Sequence, residues 1–273
     1  MLTQRVDLFD STYGHFTQDV LAAIRRETFG EDIGQNSWLT VEEFDRFISW
    51  LRLRPEQHVL EVASGSGGPA LYLADHASCH VTGIDSNEIG IAEATRAACR
   101  WRQSHHSQRV TFRVADATEP LPFANDTFDA LVCIDSMNHF PDRLRVLQEW
   151  QRVLRPGGRA VFTDPVVINR PVTNDDLALR SSIGLFVFAP PGVNEDFIDT
   201  AGFNLMRWDD VTVNSALVAG RWLRARHHHR DALLELEGEE RFEGLQKFFG
   251  AVHRLTSERR LTRVAYLVEK PAK

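Results

Sequence analysis

Cysteine is scarce in this 273-residue chain, and Cys79, Cys99 and Cys133 are odd in number and fall in no metal-ligand spacing. That argues against a disulfide framework or a thiolate metal centre and reads as reduced, mostly buried thiols of a cytosolic protein. No metal is expected. Long apolar runs are also missing. Nothing approaches the roughly 18 to 20 continuous apolar residues of a membrane span, so no membrane partner is expected. The opening "MLTQRVDLFDSTYGHF" lacks the apolar core of a secretion signal, so the expected location is cytoplasmic. Positive charge is in deficit, with 31 Lys and Arg against 38 Asp and Glu and a net charge of −7. A dedicated nucleic-acid binder usually carries a basic surface, so no nucleic-acid partner is expected. There is no internal repeat and no low-complexity linker. What remains is the composition of an ordinary globular protein, 43% apolar and 25% charged, with length for one large core or two small ones.

The first 54 residues read as helical. Thr40 and Glu43 have capping-box spacing, and Val41, Phe44, Ile48 and Leu51 recur at helical intervals. Pro55 stops that helix near Arg54. Short apolar strands then alternate with amphipathic segments. "HVLEVA", "HVTGID", "RVTFRVAD", "FDALVCID" and "RAVFTDPVV" are predicted strands. Between them come helices opened by Pro69 in its first turn, capped by Ser86 or Asn87 and running to about Arg102, and marked by Leu144, Leu147, Trp150 and Leu154 before "RPGG". Residues 166–193 read as irregular. A short helix closed by Gly202, a strand "FNLMRWDDV", two helical stretches and a terminal strand "LTRVAYLVEK" complete the chain. This rhythm predicts a doubly wound, mostly parallel sheet in a single α/β domain. Its parts are a helical cap (1–54), a core (55–165), an insertion (166–193) and the rest of the sheet (194–273).

The stretch "VLEVASGSGGPALYLA" places Gly65, Gly67 and Gly68 just past the first strand. In an open α/β sheet that is where ligands bind, and bare backbone allows close approach. Asp85 ends the second strand, where a carboxylate can accept hydrogen bonds from both ribose hydroxyls. Loop and carboxylate together indicate a nucleoside. Gly65, Gly67 and Ala70 also satisfy a dinucleotide fingerprint, which leaves a nicotinamide-dependent oxidoreductase in contention. Against it, Glu61 would oppose a pyrophosphate at short range and suits an ammonium group instead.

"VLEVASGSGGPA", "GID", "ADATEPLPFANDTFDALVCIDSMNHF" and "WQRVLRPGGRAVFTDP" resemble the successive motifs of class I S-adenosylmethionine-dependent methyltransferases, covering roughly residues 58–166. Within that family the chain most resembles the small-molecule branch with sterol, tocopherol, phosphoethanolamine and glycine-betaine-type enzymes. The resemblance implies a Rossmann-like, seven-stranded sheet with the last strand antiparallel, and S-adenosylmethionine as cofactor. It places Glu61 at the methionyl amino group, and Gly65 and Gly67 behind the methionyl and ribose portions. Ala63 takes the position of the family's more usual first glycine, and tighter packing is expected there. Asp85 falls at the ribose with Ser86 beside the adenine, Asp116 and Ala117 at the adenine, and Ile134 beside the methionyl portion.

The implied reaction is in-line methyl transfer to a nitrogen, oxygen or carbon nucleophile of a small-molecule acceptor. Alignment and, where needed, a base are what a protein contributes. His139 and Asp135, in "CIDSMNHF", are the candidate catalytic groups. Asp135 can orient His139, bind a cationic amine or cap the following helix. A histidine there can also serve only to bond backbone. Tyr13, Phe16 and Trp38 are candidates for a lid over the cofactor, and Phe186 and Phe188 for the acceptor pocket or the core. The apolar insertion favours an acceptor with a sizeable apolar body, while Arg170 and Arg180 can supply a clamp for a zwitterion. His227, His228 and His229, like the pair His105–His106, read as a solvated helix surface. No N/D-P-P-Y/F/W motif follows the fourth strand, which weighs against nucleic-acid methylation. A binding protein that keeps the fold without catalysis is the second class of reading.

Overall fold

The computed structural model describes residues 9–105 and 109–272. Seven strands form one sheet: β1 (His58–Val62), β2 (His80–Asp85), β3 (Val110–Val114), β4 (Phe128–Cys133), β5 (Leu154–Ile168), β6 (Asn204–Asp210) and β7 (Leu261–Glu269). Their spatial order is β3-β2-β1-β4-β5-β7-β6. β1 to β5 pair in parallel, and β7 runs antiparallel to β5 on one side and β6 on the other. The predicted fold class holds, with the antiparallel strand inserted next to the edge. From β1 the chain winds outward to β2 and β3, then returns to β4 on β1's other side. The strand order therefore reverses between β1 and β4, and a crevice opens at their carboxyl ends.

Alternation along the strands builds a core on each face. Leu60, Leu131 and Phe162 pack with Leu147 and Trp150 of a helix α6 (Arg143–Val153), whereas Val59, Val132 and Val161 pack with Phe44 and Phe47 of α3 (Val41–Leu51) and Leu73 of α4 (Gly68–Ala77). Each such side chain contributes about 1.5–3 kcal/mol of burial. A third cluster is mostly helical. Ile24 of α2 (Asp19–Phe29), Trp222 of α9 (Thr212–His228) and Phe242, Phe248 and Phe249 of α11 (Glu239–Ser257) meet Trp38 there. Trp222 stacks on Phe249 at 5.3 Å. This cluster forms one wall over the crevice. Among the described residues, no helix is long and apolar enough to cross a membrane.

Local signals mostly decide the element ends. Thr40 Oγ1 accepts from the Glu43 N–H at 3.4 Å and starts α3. The Glu43 carboxylate is used elsewhere, taken by Arg263 at 2.5 Å and Asn214 at 3.0 Å. Asn87 caps α5 (Glu88–His105) by accepting from the Gly90 N–H at 2.7 Å. Of the pair His105–His106, His106 lies outside the described residues.

Three expectations are corrected. "RPGG" is not a helix end, because β5 already begins at Leu154 and Gly157, at φ +77°, donates to Lys270 O at 2.8 Å across to the end of β7. Residues 166–193 are not irregular throughout. β5 runs on to Ile168, and α7 (Asn174–Arg180) is started by a capping box of Thr173 and Asp176. Three helices rather than two precede β7: α9, α10 (Arg230–Glu237) and α11.

Candidate active site

A cavity of about 300 Å³ opens at the carboxyl ends of β1, β2 and β4. It is lined by Glu61, Ala63, Gly65, Asp85, Ser86, Asp116, Ala117, Ile134, Asp135 and His139. Every predicted site residue but one is therefore brought together. The exception is Gly67, which starts α4 at φ +81°. A Cβ there would lie 2.5 Å from the Phe112 ring and 2.8 Å from Ala94 Cβ, so the missing side chain makes room for packing behind the loop. Gly68 is similar: a Cβ would meet Ile33 O at 2.1 Å, where the N-terminal loop crosses α4. Of the three glycines, only Gly65 faces the cavity.

At one end, Asp85 braces the glycine turn. Its Oδ2 accepts from the Gly65 N–H and its Oδ1 from the Asn87 N–H, both at 2.8 Å. With the Ser86 N–H, three backbone donors meet this carboxylate, which keeps capacity for a ligand. Beside it Glu61 is 4% exposed and its Oε2 has no hydrogen-bond partner. Burial, with the nearby Asp85 charge adding to it, pushes the Glu61 carboxyl up to about 8, while an N–H from Ala70 opposes the shift. Ala63 holds a positive φ of 58°. Asp116 forms a local turn, its Oδ1 accepting from the Thr118 N–H and hydroxyl at 2.8 Å. Tyr13 closes this end from α1 (Phe9–Gly14), with its hydroxyl against Gly65. Trp38 also lines the cavity. Phe16 does not, and instead lies under the Arg25 guanidinium at 3.9 Å.

At the other end, a 3₁₀ turn at Met137–His139 follows β4. His139 Nδ1 lies 2.9 Å from Leu185 O. A carbonyl only accepts, so Nδ1 carries the proton and Nε2 is left as the basic nitrogen. Burial lowers the His139 pKa and Arg180 adds to the lowering, against the hydrogen bond to Leu185. Phe9 and Phe186 meet the ring edge-on.

Asp135 lines the cavity but neither bonds His139 nor caps the turn that follows it. Its Oδ1 accepts from Thr163 Oγ1 at 2.8 Å and Arg263 Nε at 2.6 Å, and its Oδ2 accepts from the Trp38 N–H at 2.8 Å. The group orienting His139 is the Leu185 carbonyl. The sequence reading missed Arg263 and Asn138. Arg263 is fully buried between Asp135 and Glu43. Asn138 is 0% exposed, lines the cavity, and has no partner for either side-chain polar atom. Phe186 lines the cavity and Phe188 does not; likewise Arg180 lines it and Arg170 is exposed. Away from the site, His228 and His229 converge on Glu27, with ligand atoms within 4.8 Å of one another, and His227 stands apart. The chain leaves α9 at His228, which frees the ring of His229 to turn toward Glu27.

A buried carboxyl group with one oxygen left without a partner, beside a bare turn and a hydroxyl-ready aspartate, fits a ligand with an ammonium and a ribose. A family model described as "Methyltransferase domain" matches residues 60–162. The 27-O-demethylrifamycin SV methyltransferase of Amycolatopsis mediterranei is 30% identical over 241 residues, 84% of this chain and 81% of that protein. The chain belongs to the class I S-adenosylmethionine-dependent methyltransferases. The glycine/sarcosine/dimethylglycine N-methyltransferase of Actinopolyspora halophila is 29% identical over 214 residues, 78% of this chain, which spans only 37% of that protein's length. Phosphoethanolamine N-methyltransferase 2 of Haemonchus contortus, solved with S-adenosyl-L-methionine, has the same fold, with a TM-score of 0.79 at 18% identity, covering 97% of this chain and 60% of that one. The cofactor of this methyltransferase is S-adenosylmethionine, and its acceptor is a small molecule.

Proposed function

We propose that this methyltransferase acts on an acceptor with a sizeable apolar body and that His139 takes the acceptor's proton as its nucleophile attacks. The carrying observation is the bond from His139 Nδ1 to Leu185 O, which leaves a neutral ring with Nε2 as its base. Below its ordinary pKa, that ring is unprotonated at neutral pH. The aromatic groups lining the cavity, Phe186, Trp222 and Phe248 among them, support an apolar acceptor.

Bound S-adenosylmethionine supplies an electrophilic methyl group on a sulfonium. The residues that would hold it are Glu61 at the ammonium and Asp85 at the ribose hydroxyls, with Ala63 and Gly65 as the backing. Ser86, Asp116 and Ala117 would meet the adenine, and Ile134 the methionyl portion. Holding acceptor and methyl in line contributes on the order of 7–11 kcal/mol. Asp135 is a positioning residue in this scheme, fixing the turn that carries His139 and the loop that carries Trp38. Residues 1–54 act as a cap, 55–165 as the cofactor-binding core, 166–193 as the acceptor lid and 194–273 as the rest of the sheet. Supporting the lid, Val187 N–H donates to Asn138 O at 2.8 Å, which fastens the segment to the catalytic turn. The enzyme works in the cytoplasm, and nucleic acid is not its acceptor, in keeping with its net charge of −7.

Thermal unfolding with S-adenosylmethionine, S-adenosylhomocysteine or NAD tests the cofactor residues. A ligand at about a hundred times its Kd stabilises by about 2.7 kcal/mol. The two adenosyl ligands raise Tm by several degrees, NAD does not, and Asp85→Ala abolishes the rise. Stabilisation by NAD alone would sink the assignment.

A further inference from the structure

We infer that Arg180 and Asn138 form a carboxylate subsite in the acceptor half of the cavity, so that the acceptor is an apolar carboxylic acid. This rests on the methyltransferase reading of the same cavity and names its substrate class.

Arg180 ends α7, lines the cavity and is 2% exposed. Its Nη1 is buried without a hydrogen-bond partner, and among the described residues no ion pair engages it. Its neighbours are ring faces. The guanidinium carbon lies 4.5 Å from the Phe186 centroid, 5.3 Å from Phe248 and 5.9 Å from Trp38. Two acids lie near enough to act on it by charge, Asp135 and Asp164, and both are committed elsewhere. Asp135 serves Arg263, Thr163 and Trp38. Asp164 is bonded by Arg143 at 2.6 Å and Asn194 at 2.8 Å.

A dehydrated cation without a counter-charge is costly to the fold. A fold keeps such a group where a ligand supplies the missing anion. Asn138 is the independent second sign. Its side chain is fully buried in the same cavity with amide nitrogen and oxygen both unpartnered, while its backbone carbonyl already accepts from Val187. A planar guanidinium takes a carboxylate through two parallel N–H donors, and an amide N–H completes the set. The surrounding rings exclude water and require that the rest of the acid be apolar.

The subsite is distinct from the place of the cofactor's own charged groups. Arg180 and His139 share one neighbour, Phe186, whose ring centroid lies 4.5 Å from the guanidinium carbon and 4.7 Å from the imidazole. An anion held by Arg180 is therefore bound on the side of the cavity that carries the proposed base.

The test uses matched pairs of phenylacetate and phenylacetamide, and of 4-hydroxybenzoate and 4-hydroxybenzamide, titrated into the full chain saturated with S-adenosylhomocysteine. The acids are expected to bind about 10- to 100-fold more tightly than the amides, as for loss of one charge-assisted contact. That preference disappears in Arg180→Met and shrinks in Asn138→Ala, with the affinity for S-adenosylhomocysteine unchanged in both. Arg180→Met should fold with a Tm no lower than the parent, because it removes an uncompensated charge. Amides that bind as well as acids overturn the inference. So do no acid binding by the parent, an acid preference that survives in Arg180→Met, or a parallel loss of S-adenosylhomocysteine affinity, which would assign Arg180 to the cofactor. If the parent fails to bind S-adenosylhomocysteine at all, the cofactor reading itself falls, and this one with it.

Discussion

Arg263 Nε stands 2.6 Å from Asp135 Oδ1 in the interior of the protein, joining β7 to the turn after β4. Its Nη1 lies 2.5 Å from Glu43 on α3, and Asp135 reaches on to the Trp38 N–H. One cation thus ties the N-terminal segment, the catalytic turn and the terminal strand. Removing one partner of a buried pair leaves charge uncompensated and typically costs about 3–5 kcal/mol. Arg263→Met strands two carboxylates, so its stability in urea should fall by at least that amount. Replacing Asp135 by Asn as well should recover part of the loss. Independent, additive effects of the two substitutions would break the proposed coupling.

Glu61 carries a pH signature. The folded chain holds its proton to about pH 8, whereas an ordinary glutamate gives it up near 4.5. Between those values the folded state binds more protons than the unfolded chain, so the ligand-free protein loses stability as pH rises across the window. Glu61→Gln escapes that loss, and its Tm advantage over the parent should widen from about pH 4 to about pH 9. Binding S-adenosylhomocysteine near neutral pH should expel a proton as the ammonium meets the carboxylate, seen by calorimetry in buffers of different ionisation enthalpy. The Gln variant should expel none. Equal proton release from both proteins would remove Glu61 from the ammonium site.

His139→Gln should lower kcat by about 10²–10⁴-fold while leaving S-adenosylhomocysteine affinity intact. Because burial lowers the His139 pKa from 6.5, the parent's kcat/KM should be flat above neutrality and decline only on the acid side. A decline beginning well above pH 7 would point to a different base.

Ala63 sits at φ +58°, a conformation that costs an L-residue about 1–2 kcal/mol, while glycine loses about 0.5–1 kcal/mol of chain entropy on ordering. Ala63→Gly should therefore be neutral or stabilising by up to about 1.5 kcal/mol, measured by denaturant unfolding. A clear loss of stability would mean that the Ala63 methyl packs favourably enough to outweigh its backbone strain.

The cofactor end of the cavity was readable because its groups are local to strand ends. Glu61, Asp85 and Gly65 occupy fixed offsets from β1 and β2, and strand periodicity locates those ends. Gly67 misled because a glycine spared for a ligand and one spared for Phe112 look alike in one dimension. The acceptor end was only half readable. Arg180 suggested a clamp, but its lack of a partner depends on where Asp164, Arg143 and Asn194 meet. Glu43 carried a valid capping signal, and its carboxylate was claimed instead by an arginine 220 residues away, in a strand whose other residues are mostly apolar. Sequence spacing holds no information about that choice. The capping box of α7 was present in the sequence and overlooked among the prolines around it.

The place of β7 between β5 and β6 sets the order in which the molecule can be assembled during synthesis. The glycine turn, Asp85 and the β1–β4 crevice are all encoded before residue 140, and can form while the ribosome is still working. Until residues 261–269 emerge, β5 has an open edge, β6 has no neighbour, and Asp135 and Glu43 face each other without Arg263. Every group of the cofactor side thus precedes in the chain the one cation that pins the catalytic turn.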